Sequence, residues 1–402
     1  MSYAGVTPML CTYTRASVIA DLHCHYPMHV VLHEPRHRIE HLLRMRGRLR
    51  GDQIRVAVLR VASALFNDPH LWCAERVSVE HLLHGNVRLV FSVLHAPFNE
   101  WDLGRHFGAP PEDSYFSTVQ LQIEEVETDL GKWPTSVVTH VRDADELEHA
   151  LASGSIAVVH CLEGGVSLGS STEEIERNVA ELKRRGVAYV TLAHLFYRQV
   201  ATNAPAIPFL DDRVYRRVFP QPRGLGLTDR GCAAVDAMAR HRILVDLAHM
   251  SVDATRRTFD LLDEVAPDMP VINSHAGFRF GSQEYMLDAP TIERIAARRG
   301  VVGLIMAQHQ LNDGLRKRER RFEESFEVIC NHIDKLHEIT GSHEHAALGT
   351  DFDGFIKPTM GGLETPADLR HLEARLADRY GDDAELITSG NALRVLRELW
   401  RT

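Results

Sequence analysis

The sequence predicts an α/β fold of the (β/α)8 TIM-type barrel class with a C-terminal helical extension, on three observations. From Ala152 onward, short apolar segments with strand character alternate with amphipathic helical segments, the pattern of a parallel sheet wrapped by helices. Eight strand candidates can be counted along the whole chain. Six of them are followed by residues of metal-ligand or acid/base type, at the strand ends where such barrels carry their chemistry.

The chain is 402 residues long, enough for one large barrel or two ordinary domains. No internal repeat, low-complexity tract or linker divides it, so the reading is a single domain over 1–402. Insertions are expected between strands 1 and 3, at about 26–155, and a helical extension at about 364–402. The net charge of −10 argues against nucleic acid or an anionic membrane as a partner. Six scattered cysteines without paired spacing read as reduced thiols of a cytoplasmic protein. The first residues lack a basic segment followed by an apolar one, and no apolar run reaches the length of a membrane span.

The first strand candidate, Ala16 to Leu22, runs into His23-Cys24-His25. Alternate residues of a strand share a face, so the two imidazoles converge while Cys24 points the other way. The second strand is Val87 to Leu94, and Ile54 to Leu65 is strand or helix. The later strands are Ile156 to Cys161, Val187 to Ala193, Ile243 to Ala248, Val271 to Ser274, Val301 to Met306 and Ala346 to Thr350. Between them, Thr172 to Arg185 opens on Ser/Thr caps and acidic residues and stops at Gly186, as a helix should. Leu227 to Arg240, Val252 to Val265, Thr291 to Arg299 and Phe322 to Thr340 follow suit. Two more helices, Pro366 to Tyr380 and Ala384 to Trp400, either cover the barrel or make a subunit contact.

Glu163, His194, His249, His275 and Asp351 lie at or just beyond later strands, joining His23 and His25. One histidine at a strand end is more often a cap or hydrogen-bonding residue than a ligand. The joint pattern is different. Four imidazoles with one bridging carboxylate suit two zinc-like ions, and a further carboxylate, Asp351, suits proton transfer.

The segments His23-x-His25, Cys-Leu-Glu163-Gly-Gly, Val-Thr-Leu-Ala-His194, Val-Asp-Leu-Ala-His249-Met-Ser, Asn-Ser-His275, Gly-Thr-Asp351-Phe-Asp-Gly and Gly390-Asn391-Ala-Leu-Arg394 resemble the membrane (renal) dipeptidase family of the amidohydrolase superfamily. That resemblance implies a (β/α)8 barrel, two divalent metal ions, zinc foremost, and hydrolysis of a small amide or peptide bond by a metal-bridging hydroxide. It also implies a small-molecule substrate and often a homodimer. It gives His23 and His25 to one ion, Glu163 as the bridge, and His249 with His275 to the other. His194 then polarises the scissile carbonyl and Asp351 carries the proton.

Two positions depart from the family pattern. The first strand carries His25 where the family usually has an aspartate, which leaves the metal pair about one unit more positive. Downstream of His275, the family's carboxylate-gripping arginine falls at Tyr285 or Met286. Arg198 and Arg279 are the candidate replacements as a bidentate clamp, each with a loop-packing role as its alternative. Without a clamp, a lactone, cyclic amide or other non-dipeptide substrate becomes the second reading, and a non-catalytic ligand-binding paralogue the third. The zincin-like string His33-Glu34-Pro35-Arg36-His37 is set aside, because Pro35 breaks the helix that motif requires.

Overall fold

A computed structural model of the chain describes residues 18–26, 28–31, 76–96, 99–100, 108–207, 210–354, 356 and 358–401. The run 54–65 and the string around His33 and His37 lie outside these residues. Among the described residues nine parallel strands are present: β1 (Ile19–Cys24), β2 (Val87–His95), β3 (Val138–His140), β4 (Ile156–Glu163), β5 (Tyr189–Thr191), β6 (Leu244–Asp246), β7 (Ile272–Ala276), β8 (Val301–Leu304) and β9 (Ala346–Leu348). Eight close a barrel in the order β1-β2-β4-β5-β6-β7-β8-β9, with β9 returning to β1. Closure is anchored where β2 pairs β4 over seven residues, from Leu89↔Ala157 to His95↔Glu163. The ninth strand, β3, was not anticipated, and pairs only with Ile156 to Val158 of β4.

The later part of the chain follows the sequence reading closely. Among the described residues the longer helices are α1 (Ser114–Leu130) and α2 (Ala144–Ser153), which the sequence did not predict, then α3 (Thr172–Arg184), α4 (Asp229–His241), α5 (Val252–Val265), α6 (Ala289–Ala297), α7 (Phe322–Thr340), α8 (Leu369–Tyr380) and α9 (Asn391–Trp400). In α3 the Ser171 hydroxyl accepts from Glu174 N–H, and Ile175, Val179 and Leu182 form the face turned to the barrel. Thr228, Ser251 and Asp288 cap α4, α5 and α6 in the same way. α7 ends at Gly341, whose φ of 75° is the left-handed conformation that terminates a helix without steric cost.

The C-terminal extension covers the barrel from the end opposite the strands' C-termini. Asn391, at the start of α9, donates from Nδ2 to His343 O and to Ala346 O, both at 2.7 Å, tying the extension to the beginning of β9. Inside the barrel, Gly303 and Gly349 leave room for the backbone of β7. A Cβ at either would stand within 1.9 Å of Ser274 O, so only glycine permits this approach.

A buried histidine joins the loops after β7 and β8 to α7. His332 Nδ1 accepts from Phe278 N–H and its Nε2 donates to Leu311 O, each at 3.0 Å. This fixes a neutral ring, and burial lowers its pKa to about 4. The unfolded chain, with an ordinary histidine, then takes up more protons between about 6.5 and 4. The contribution is complete above the unfolded pKa and is lost as pH falls through that window. Stability should drop by up to about 3 kcal/mol on this account between pH 7.5 and 4. His332→Gln, which can keep both hydrogen bonds, should flatten that slope in denaturant titrations at several pH values; an unchanged slope would assign the acid sensitivity elsewhere.

Candidate metal centre

The strand ends bring the expected residues together around one carboxylate. Glu163 Oε1 lies 3.5 Å from His23 Nε2, 3.4 Å from His249 Nε2 and 3.6 Å from His275 Nε2. Its other oxygen lies 3.4 Å from both His25 Nε2 and His194 Nε2. Asp351 Oδ1 stands 3.1 Å from His25 Nε2 and 3.7 Å from His23 Nε2. All seven residues are buried. They could hold cations in overlapping sets: His23, His25 and Asp351; His23, Glu163 and His275; and Glu163, His194 and His249.

A layer of hydrogen bonds beneath the imidazoles fixes which nitrogen faces inward. The Tyr189 hydroxyl donates to Leu22 O at 3.0 Å, so its oxygen is left to accept from His23 Nδ1 at 2.9 Å. Ser274 donates to Asp246 Oδ2 at 2.6 Å and can accept from His275 Nδ1 at 2.7 Å. Both arrangements turn a bare Nε2 toward Glu163. Asp246 is in turn held by Thr191 and by the backbone of Ala248 and Ser274, while Asp21 is held by Thr350 and His23 N–H. Burial pushes the Asp21 carboxyl up to about 7 and raises that of Asp246.

The electrostatics suit cations. Burial, reinforced by neighbouring imidazoles, holds His23, His194 and His275 well below the ordinary histidine range; burial also brings His249 to about 4 despite opposing carboxylates. These rings are neutral and available as ligands. Burial also drives the Glu163 carboxyl well up, and its Oε1 has no hydrogen-bond partner among the described residues. A desolvated carboxylate facing neutral nitrogens is expensive without positive charge, and divalent ions at this point would supply it. His25 differs: burial lowers its pKa, but the hydrogen bond to Asp351 and the Glu163 and Asp351 charges outweigh that and leave it raised.

Two loop geometries place the remaining groups. His249 and Asp351 have φ of 63° and 59°, left-handed backbone that non-glycine residues adopt at some cost and that clusters at functional sites. In Gly349-Thr-Asp351-Phe-Asp-Gly354 the last glycine leaves Asp351 Oδ1 its position, because a Cβ there would stand 2.0 Å from it.

The three expected substrate-binding residues are placed differently from the expectation. Arg198 directs Nε to Ala109 O at 3.0 Å, Nη1 to Asn99 O and Glu100 O, and Nη2 to the Tyr115 hydroxyl. Arg279 binds Met286 O at 2.7 Å and Glu284 O at 2.8 Å. Both guanidinium groups thus tie loops together through backbone carbonyls, as the loop-packing alternative to the carboxylate clamp has it. Tyr285 is buried against His249, with its hydroxyl donating to His275 O at 2.8 Å. It forms a wall of the centre, with its polar end already engaged.

Two residues were missed. His95 ends β2 directly opposite Glu163, and its Nδ1 lies 3.1 Å from Glu163 O. Glu100 accepts from Phe196 N–H at 2.8 Å and lies 2.6 Å from His194 Nδ1. The strand-end rule that found the other candidate residues applies to His95 as well. Glu100 sits beyond any strand and gives no such signal.

A family model described as membrane dipeptidase (Peptidase family M19) matches residues 57–401. The chain belongs to that family. It is accordingly a metal-dependent hydrolase of the dipeptidase kind. Among curated relatives, Dipeptidase verJ from Clonostachys rogersoniana is 26% identical over 324 residues, 79% of this chain and 74% of that protein. Dipeptidase 3 from Mus musculus is 26% identical over 263 residues, 64% of this chain but 47% of that protein. Two solved structures share the fold at 18% identity. One, described as dipeptidase AC, aligns with a TM-score of 0.68, covering 96% of this chain and 100% of that one. The other, a Rhodobacter sphaeroides metallopeptidase carrying a phosphinate mimic of L-Ala-D-Ala, has a TM-score of 0.69 and coverages of 95% and 99%.

Glu100 and His194 share one proton between Nδ1 and Oε2, and its position decides whether His194 presents a lone pair or an N–H to the centre. Burial raises the Glu100 carboxyl, a shift in the direction of the acid that would leave His194 an Nε2–H donor. Glu100→Ala should therefore lower kcat by roughly 10–100-fold. Glu100→Gln should retain most activity, since its oxygen keeps Phe196 N–H and its amide N–H faces Nδ1. Equal losses in both, with metal content unchanged, would count against a donor role for His194.

Proposed function

We propose that His23, His25, Glu163, His249 and His275 hold two divalent ions, zinc foremost, with Glu163 between them, and that the protein cleaves a small amide of the dipeptide type. The convergence of five Nε2 atoms on the two oxygens of Glu163 carries this reading. When bound, such ions supply the Lewis acidity that activates water and polarises an amide carbonyl at neutral pH.

The chain's own groups do the rest. His194 aims Nε2 at the centre, where an N–H would bind the carbonyl oxygen as charge develops on it. Asp351 takes the proton of the attacking water on Oδ1 and passes it to the leaving amine, which cannot depart as an anion. Its carboxylate is held for this by the left-handed turn and the space that Gly354 leaves. Tyr285 and the buried imidazoles wall the reacting atoms from solvent on one side.

The loops after β5, β7 and β8 line a cleft of about 770 Å³ that includes Asp211, Asp212, Arg213, Gln283 and His309. Its lining residues are separate from the seven of the centre. The engagement of Arg198 and Arg279 with backbone carbonyls leaves the second reading beside the first: a lactone or cyclic amide needs no carboxylate clamp. The proposed cytoplasmic location rests on the scattered spacing of the six cysteines. The homodimer that the resemblance implies is open to light scattering.

Protein purified without chelator should contain close to two ions at this centre, and chelation should abolish turnover of L,L- and L,D-dipeptides. Asp351→Asn should keep the ions and lose activity by roughly 10²–10⁴-fold. Retained activity after complete metal removal would overturn the reading. Arg279→Ala should leave KM for dipeptides within about twofold, because its hydrogen bonds hold the 279–286 loop. A large rise in KM without loss of stability would restore it as a substrate ligand, and turnover of lactones in place of dipeptides would select the second reading.

A further inference from the structure

We propose that Glu127, His140 and His160 form a separate site for a single zinc-class ion on the outer face of the barrel, with Arg185 positioning the carboxylate. The three residues come from α1, the end of β3 and the middle of β4. His160 precedes Glu163 by three positions in β4, so the two side chains leave opposite faces of the strand. Glu163 enters the barrel, and His160 points outward beneath α1.

The spacing fits a tetrahedral ion. His140 Nδ1 lies 3.5 Å and His160 Nε2 3.9 Å from the same oxygen, Glu127 Oε1. Ligand atoms about 2.1 Å from zinc at tetrahedral angles stand about 3.4 Å apart, close to both distances, and all three ligand atoms lie within 4.8 Å of one another. The rings are already packed together, with centroids 4.1 Å apart.

A second observation points to a ligand. His160 is fully buried, yet neither of its ring nitrogens has a hydrogen-bond partner among the described residues, and His140 Nε2 has none either. Buried polar nitrogens are ordinarily paired, and an imidazole such as His160 with neither nitrogen paired is a costly substitute for apolar packing. An ion would take the inward nitrogen of each ring. Burial holds both histidines below their ordinary range, His140 at about 4, so both are neutral and free to coordinate.

Arg185 Nη2 binds Glu127 Oε2 at 2.8 Å, leaving Oε1 turned toward the imidazoles. This is how ligating carboxylates are commonly held by an outer partner. It also offsets the carboxylate charge, so binding depends chiefly on imidazole. That selects zinc-like ions over magnesium or calcium. Glu127 is about a third exposed, with a side-chain accessibility of 35%, and provides an entrance that does not pass through the barrel mouth. An ion here would fasten α1 and the short β3 to β4, the strand that carries Glu163.

The test uses the full chain, stripped with chelator, reloaded with excess zinc and desalted, with metal measured by plasma mass spectrometry. His140→Gln should bind one ion fewer than the parent protein, and Glu127→Gln should hold that ion at least tenfold more weakly in zinc titrations. Both should keep the parent kcat. Zinc should raise the Tm of the parent beyond that of His140→Gln. Equal metal content and equal zinc-dependent Tm in the parent and His140→Gln would overturn the proposal. The difference of one ion between parent and variant reports on this site alone, whatever number the barrel mouth holds.

Discussion

A single buried carboxylate organises the molecule. Glu163 has almost no solvent exposure and faces five imidazole edges, four of them held neutral by burial. A charge so desolvated is stable only where opposite charge is brought to it. The histidines arrive from β1, β7 and the turns after β5 and β6, and the strands end there. Each strand contributes one or two nitrogens, and the barrel is the device that makes separated segments of sequence converge. Beneath them Asp21 and Asp246 hold hydroxyls and backbone N–H groups in place, so the orientation of His23 and His275 is set before any cation or substrate binds.

The histidine at position 25 changes the balance of that centre in a local way. An aspartate there would set one carboxylate beside another, because the His25 ring lies 3.1 Å from Asp351 Oδ1. Imidazole removes this repulsion and offers Asp351 a hydrogen-bond partner. Asp351 is thus held beside His25 by the neighbouring strand, since β1 pairs with β9 and Cys24 bridges Phe352. A change at either is expected to be felt at the other, in the manner of non-additive active-site pairs.

The barrel was legible because its strands are short, apolar and followed by polar residues that have no reason to be there unless they converge. The same rule should have delivered His95, which follows Leu94 directly; the strand was ended one residue early and the histidine passed over. α1 also left a mark, since Phe116, Val119, Ile123, Val126 and Leu130 recur at helical spacing and are all buried. Glu100 could not be found this way. Its importance comes from a contact with His194 across 94 positions, and no local pattern encodes that. Arg198 and Arg279 illustrate the converse. Sequence places a guanidinium near the site but cannot tell whether its donors face a substrate or the carbonyls of the surrounding loop.

β4 explains why such different demands coexist. All eight of its residues are buried, and it pairs with β2, β3 and β5. Alternation along a strand therefore gives it two interior faces, one lined by the barrel and one by α1. Polar residues on either face are desolvated, and each must be matched by a partner of fixed geometry. On the inner face this constraint yields Glu163 and the imidazoles around it. On the outer face it yields His160 beside His140 and Glu127, an arrangement of the same donor types with one carboxylate instead of two. A strand buried on both sides normally carries only apolar residues, so two polar clusters back to back on one strand imply that each is held by something stronger than packing.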